Sequence, residues 1–207
     1  MKLVGVVLAG GRSARMGGGH KGLMLLDGAP MLAHVLAALT PQADAMLINS
    51  NGDPRLFEAF GLPVLADCVA GYHGPLAGLL TGMLWARQHH PNATHLLSAP
   101  CDVPYLPPDL ARRLADSLMN GAEIAIARDS DRIHPTLGLW PVSLAERLTL
   151  DLVNHGTRAM RSWLANFPVQ EIIFDAACLR NVNTPEDLAA SHKLTLTHRR
   201  PITNVAV

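Results

Sequence analysis

Short apolar runs of strand length alternate with longer helical patterns along almost the whole chain, and this alternation restricts the fold more than any other feature. The runs at 3–8, 45–49, 64–66, 95–99, 124–128, 137–140 and 171–174 read as strands. The segments 30–39, 75–88, 108–119, 143–150, 157–166 and 185–193 read as helices. Pro30, Pro75, Pro108 and Pro185 each stand where a first helical turn tolerates proline. A strand followed by a helix and then another strand calls for a mainly parallel sheet covered on both faces. In such folds ligands bind beyond the carboxyl ends of the strands. The 207 residues fit one domain, expected over 1–193, with a tail over 194–207 that loses helical patterning.

The first strand empties into Gly10-Gly11-Arg12-Ser13-Ala14-Arg15-Met16-Gly17-Gly18-Gly19-His20-Lys21-Gly22. Glycines let the backbone approach a ligand and turn its N–H groups inward. Arg12, Arg15 and Lys21 add positive charge around that concavity, which suits a triphosphate. Two familiar phosphate loops are excluded by spacing. His20-Lys21-Gly22 lacks the hydroxyl that follows lysine in a P-loop, and Gly10-Gly11 does not open a Gly-x-Gly-x-x-Gly fingerprint.

The parallel-sheet geometry gathers further polar residues on the same edge. Asn49-Ser50-Asn51 follows the second strand, Asp67 the third and Asp102 the fourth. Asp102 stands between Pro100 and Pro104, which stiffen the backbone and suppress helix around it. A carboxylate at a strand end beside a triphosphate loop is a natural magnesium ligand, because magnesium takes one or two carboxylates plus phosphate oxygens and water. Asp67 and Asn49 suit guanine, ribose hydroxyls or an ordinary turn, and composition does not choose among these uses. Gly71-Tyr72-His73-Gly74-Pro75-Leu76-Ala77-Gly78 is a second glycine-rich entry to a helix. His134-Pro135-Thr136 and Asn181-Val182-Asn183-Thr184-Pro185-Glu186 are polar clusters beside later elements, with Thr184 placed as a helix N-cap.

Formal charge balances at zero, so no nucleic-acid footprint is expected. No targeting segment and no bilayer-spanning stretch is expected either. Cys68, Cys101 and Cys178 are odd in number and widely spaced, which points to a cytoplasmic protein without a disulfide framework or zinc knuckle. Cys101 has no evident basic activator, and His89, His90 and His95 fit no metal spacing.

Leu8-Ala9-Gly10-Gly11 with Arg15-Met16-Gly17 and Lys21 resembles the opening signature of nucleotidyltransferases that activate small phosphorylated metabolites. Pro100-Cys101-Asp102-Val103-Pro104 resembles their metal-binding motif. With Gly74-Pro75-Leu76-Ala77-Gly78, His134-Pro135-Thr136 and the segment 181–188, the likeness narrows to the molybdenum cofactor guanylyltransferases, members of the MobA-like nucleotidyltransferase family. That resemblance implies a Rossmann-like three-layer α/β/α domain joining GMP from GTP to Mo-molybdopterin, with magnesium and release of pyrophosphate. It implies GTP contacts at Leu8, Ala9, Gly10, Gly11, Lys21, Asn49, Asp67 and Asp102, with Asp102 as metal ligand and Arg15, Lys21 and Asp102 as catalytic groups. Asn181 and Asn183 match positions near the pterin. The resemblance also implies transient contact with other molybdenum cofactor biosynthesis proteins and apo-molybdoenzymes. The neighbouring alternatives are a cytidylyltransferase acting on the same cofactor and a non-catalytic nucleotide- or cofactor-binding protein. One departure stands out: the family commonly has Asp before Lys21, and an imidazole at His20 cannot replace a carboxylate there.

Overall fold

The first strand, β1 (Leu3–Leu8), shows how the sheet is built: Leu3 and Val7 enter one buried cluster while Val4 and Val6 enter the other. The two-residue repeat of a strand puts successive side chains on opposite faces, so a run apolar throughout must be covered on both. The computed structural model describes residues 1–10, 20–71, 73–119, 121–183 and 187.

In chain order there follow a small antiparallel pair, β2 (Leu25–Leu26) and β3 (Ala29–Pro30), then α1 (Met31–Leu39), β4 (Ala45–Asn49) and β5 (Val64–Leu65). Next come α2 (Pro75–His89), β6 (His95–Pro100), α3 (Leu110–Leu118), β7 (Ile124–Arg128), β8 (Ile133–Pro141), α4 (Ala145–Val153), α5 (Met160–Leu164) and β9 (Val169–Ile173). The main sheet has seven strands in the order β5-β4-β1-β6-β8-β7-β9. All its pairings are parallel except those of β8, which runs antiparallel to both β6 and β7.

Helices cover both faces. Leu32, Val35 and Leu39 of α1 and Leu110 and Leu114 of α3 pack with Leu97, Ala99, Leu137 and Leu139 on one side. Leu76, Leu79, Leu80 and Met83 of α2, Leu148 and Leu152 of α4, and Met160 and Trp163 of α5 pack with Val6, Leu96 and Trp140 on the other. Each such fully buried aliphatic side chain contributes roughly 1.5–3 kcal/mol relative to exposure. The architecture is the expected mainly parallel, three-layer α/β domain. The buried Ser98 of β6 is satisfied on both sides, taking the Trp140 indole N–H at 2.8 Å and donating to the Thr136 carbonyl at 2.9 Å.

Several boundaries differ from the sequence reading. The strand expected over 137–140 begins at Ile133, and the helix expected over 157–166 forms only at Met160–Leu164. The small β2–β3 pair and a 3-10 helix at Pro54–Phe60 carry no strong periodicity and were not anticipated. The helix expected over 185–193, Thr184 as its cap and the tail over 194–207 lie outside the described residues, apart from Asp187. Among the described residues no helix is long and apolar enough to cross a membrane.

Candidate active site

Backbone hydrogen bonds draw the ends of β1, β4, β5 and β6 together. The Ala9 amide donates to the Asn49 carbonyl at 2.8 Å, the Cys101 amide to the Leu8 carbonyl at 3.1 Å, and the Ser50 amide to the Leu65 carbonyl at 2.9 Å. Leu8, Ala9, Gly10, Asn49, Asp67 and Asp102 therefore leave the sheet on one edge, as the parallel arrangement requires. Gly11 and Arg15 lie outside the described residues, as does the rest of 11–19.

The chain re-enters at His20 and makes a short 3-10 turn over Lys21–Leu23. Gly22 is buried in this turn, where a Cβ would stand 3.2 Å from the Cβ of Cys101. That close approach seats the turn on the end of β6 and brings Lys21 to Asp102. The Lys21 ammonium lies 2.5 Å from Oδ2 of Asp102, with both side chains only 15% exposed. The same ammonium donates to Oδ1 of Asn183. The Val182 amide donates to the Asp102 carbonyl at 2.8 Å, so the segment 181–183 is fastened to the end of β6. Val182 itself is buried with Leu26 and Met31.

Oδ1 of Asp102 is buried and has no hydrogen-bond partner among the described residues. A buried carboxylate oxygen without a partner carries a desolvation cost that a bound cation would offset. The residues present thus fit a divalent cation completed by ligand oxygens, since magnesium needs only one or two protein carboxylates. No group of three or more His, Cys, Asp or Glu side chains that could hold a metal exists among the described residues. Adjacent Cys101 is no nucleophile: burial, with the Asp102 charge beside it, pushes its thiol up to about 12.

Asn49 and Asp67 form a second polar group on this edge. The Asn49 amide nitrogen donates to the Leu65 carbonyl at 3.1 Å and to Oδ1 of Asp67 at 3.0 Å. Asn51 donates to Oδ2 of Asp67 at 2.8 Å and accepts from the Asp67 amide at 2.8 Å. Asp67 is therefore clamped from two sides, with buried Asn49 as one of its holders. The role of Asn51 was not read from the sequence, although its place two residues after Asn49 was visible. Oδ1 of Asn49 faces Gly78 in α2, where a Cβ would fall 2.3 Å from it and 2.7 Å from Cδ2 of Leu8. Only glycine fits there, which explains the last position of Gly74-Pro75-Leu76-Ala77-Gly78. Gly74 itself sits at φ +61°, a left-handed entry that favours glycine just before Pro75 opens α2.

His20 packs on the segment that follows β4. Its ring meets Phe57 edge-on with centroids 5.4 Å apart and lies over Gly52, where a Cβ would come 2.0 Å from Nε2. The imidazole thus fixes the start of the Lys21–Leu23 turn against that segment. Asn181 accepts from the Arg132 guanidinium at 3.1 Å, and Arg132 is a further site-edge residue that the sequence reading passed over.

The chain has relatives among known proteins. The chain matches the MobA-like NTP transferase domain over residues 5–171. It is 43% identical to a molybdenum cofactor guanylyltransferase of Rhodopseudomonas palustris (strain BisB5), over 94% of this chain and 95% of that protein. It is 41% identical to a protein of the same name from Ralstonia nicotianae, over 90% of this chain and 94% of that one. In fold it resembles the crystal structure of molybdopterin-guanine dinucleotide biosynthesis protein A from Archaeoglobus fulgidus, with a TM-score of 0.73 at 22% identity, covering 95% of this chain and all of the other. With a family match over residues 5–171 and a likeness to its relatives running nearly end to end, this chain belongs to the MobA-like NTP transferase family.

Proposed function

We propose that this protein is a molybdenum cofactor guanylyltransferase, joining the GMP moiety of GTP to Mo-molybdopterin with release of pyrophosphate. The observation that carries the reading is the meeting of Lys21, Asp102 and Asn183 at one strand-end edge, in a chain 43% identical to a protein of that name. The terminal phosphate of the pterin has a second pKa near ~6, so at neutral pH it is largely dianionic and already nucleophilic. Its oxygen forms a bond to the α-phosphorus of GTP as the α–β phosphoanhydride bond breaks, and the electron pair leaves on pyrophosphate. No general base is needed. The demand on the protein is to bring polyanions together and to stabilise charge on the departing group.

Nucleotidyltransferases of this family generally use a divalent metal. Asp102 would hold magnesium through its open Oδ1, and the ion would supply charge neutralisation across phosphate oxygens. Lys21 and Arg15 hold the leaving pyrophosphate. Leu8, Ala9, Gly10 and Gly11 present backbone to GTP, while Asn49 and Asp67 serve its nucleoside end. Asn181 and Asn183 serve the pterin side. The compartment is the cytoplasm, in keeping with free, scattered Cys68, Cys101 and Cys178. The product is handed on by transient contact with cofactor-inserting proteins or apo-molybdoenzymes.

The test is direct product identification. Protein supplied with molybdopterin, magnesium and radiolabelled GTP or CTP is expected to form the guanine dinucleotide and pyrophosphate from GTP. Product from CTP alone would reassign the base, and nucleotide binding without pyrophosphate release would remove the transferase reading.

A further inference from the structure

The connection between β7 and β8 is a four-residue turn, Asp129-Ser130-Asp131-Arg132, organised around one carboxylate. Asp129 is 6% exposed, and its Oδ1 accepts from the amides of Asp131 and Arg132, each at 2.8 Å. Its own amide donates to the Arg132 carbonyl at 3.0 Å. Oδ2 lies 2.8 Å from Nε2 of His134, which is 7% exposed. Every oxygen of this buried carboxylate has a partner, and the result is a turn with a fixed shape.

The turn carries Arg132. Its guanidinium is exposed and donates to the neutral Oδ1 of Asn181, and no carboxylate among the described residues forms an ion pair with it. Nearby Arg128, by contrast, is paired with Glu171 at 3.0 Å. Asp131 is adjacent to Arg132 in sequence, yet the hydrogen bond at its Oδ1 comes from Ser130. Asn181 belongs to the segment whose next residues touch Asp102 and Lys21. Arg132 and Lys21 therefore stand at opposite ends of the three-residue bridge 181–183. A guanidinium with one donor on a neutral amide keeps a fork that matches the oxygens of a phosphate.

We infer that Arg132 binds the phosphate of the acceptor substrate and that Asp129, with His134, is the positioning residue that holds it there. This rests on the guanylyl-transfer reading, in which GTP occupies the Lys21 end and a second phosphate must approach from the other side.

Two measurements on the full-length protein decide it: equilibrium binding of molybdopterin, which needs no turnover, and steady-state kinetics with each substrate varied in turn. Arg132→Ala is expected to weaken molybdopterin binding and raise the acceptor KM by about 10- to 100-fold. The KM for GTP and the thermal midpoint stay unchanged, and Arg132→Lys recovers part of the loss. Asp129→Asn raises the acceptor KM as well, and combining it with Arg132→Ala adds little, because the carboxylate acts through the guanidinium. Wild-type affinity for molybdopterin in Arg132→Ala, or equal losses for both substrates, overturns the assignment. Absence of guanylylated product from the wild type overturns the parent reading alone, since the binding arm still decides Arg132.

Discussion

Two carboxylates stand just beyond parallel strands on the same edge of the sheet, and the fold treats them in opposite ways. Asp129, after β7, has two backbone amides on one oxygen and His134 on the other. Asp102, after β6, has Lys21 on Oδ2 and nothing among the described residues on its buried Oδ1. A polar atom fully satisfied by its own chain is a structural device, whereas one left buried without a partner costs stability unless a ligand completes it. The difference separates a turn that its own chain holds in shape from a strand end that keeps a buried oxygen open to a ligand. Two substitutions sharpen the contrast before any assay is run: Asp129→Asn is expected to lower the thermal midpoint, whereas Asp102→Asn leaves it unchanged or raises it.

The largest effect expected on the open side comes from the cation. Lys21→Ala removes the charge beside Asp102 and is expected to weaken GTP binding by roughly 100-fold, in line with losing one charge-assisted contact to phosphate. Unchanged affinity in a titration of the variant with GTP would take Lys21 out of the site. A smaller effect tests the close packing of Asn49 on α2. Gly78→Ala drives a methyl into Oδ1 of Asn49 and is expected to cost about 1–3 kcal/mol by chemical denaturation, with a matching loss of GTP affinity. A variant as stable as the wild type would show that α2 is free to shift.

The smallest effect belongs to the closed side and appears in its acid sensitivity. The His134 hydrogen bond, followed by the Arg132 and Asp131 amides, holds the Asp129 carboxyl well below its ordinary value of 3.8. A group lowered on folding contributes stability that is complete above its unfolded pKa and is lost as pH falls through that value toward the folded one. The wild type should therefore lose stability between about pH 5 and pH 3 more steeply than Asp129→Asn. Denaturation curves across that range check it, and parallel curves for the two proteins would deny Asp129 its structural role.

Much of this was legible in the chain. Apolar runs broken by helical patterns dictate a covered, mainly parallel sheet, and that alone sends Gly10, Asn49, Asp67 and Asp102 to one edge. The antiparallel course of β8 was less visible because periodicity carries no direction. A signal did exist: the few residues between 128 and the next apolar run are too short for a parallel crossover. Hydrogen-bond partnership was not legible at all. Nothing in the sequence distinguishes Asn49 as a clamp on Asp67 from Asn49 as a ligand contact, or pairs Arg132 with Asn181 across 49 positions. His20 shows the same limit, since its packing on Gly52 and Phe57 depends on where the loop after β4 lies.

We propose that the unpartnered oxygen of Asp102 is a ligand position for a metal that accompanies the triphosphate. Calorimetric titration of GTP into wild type and Asp102→Asn, each with magnesium and with chelator, tests it most directly. Magnesium should tighten GTP binding to the wild type by about tenfold or more and leave the variant's affinity unmoved, with both proteins equally folded. An equal magnesium response in the two proteins would contradict the account.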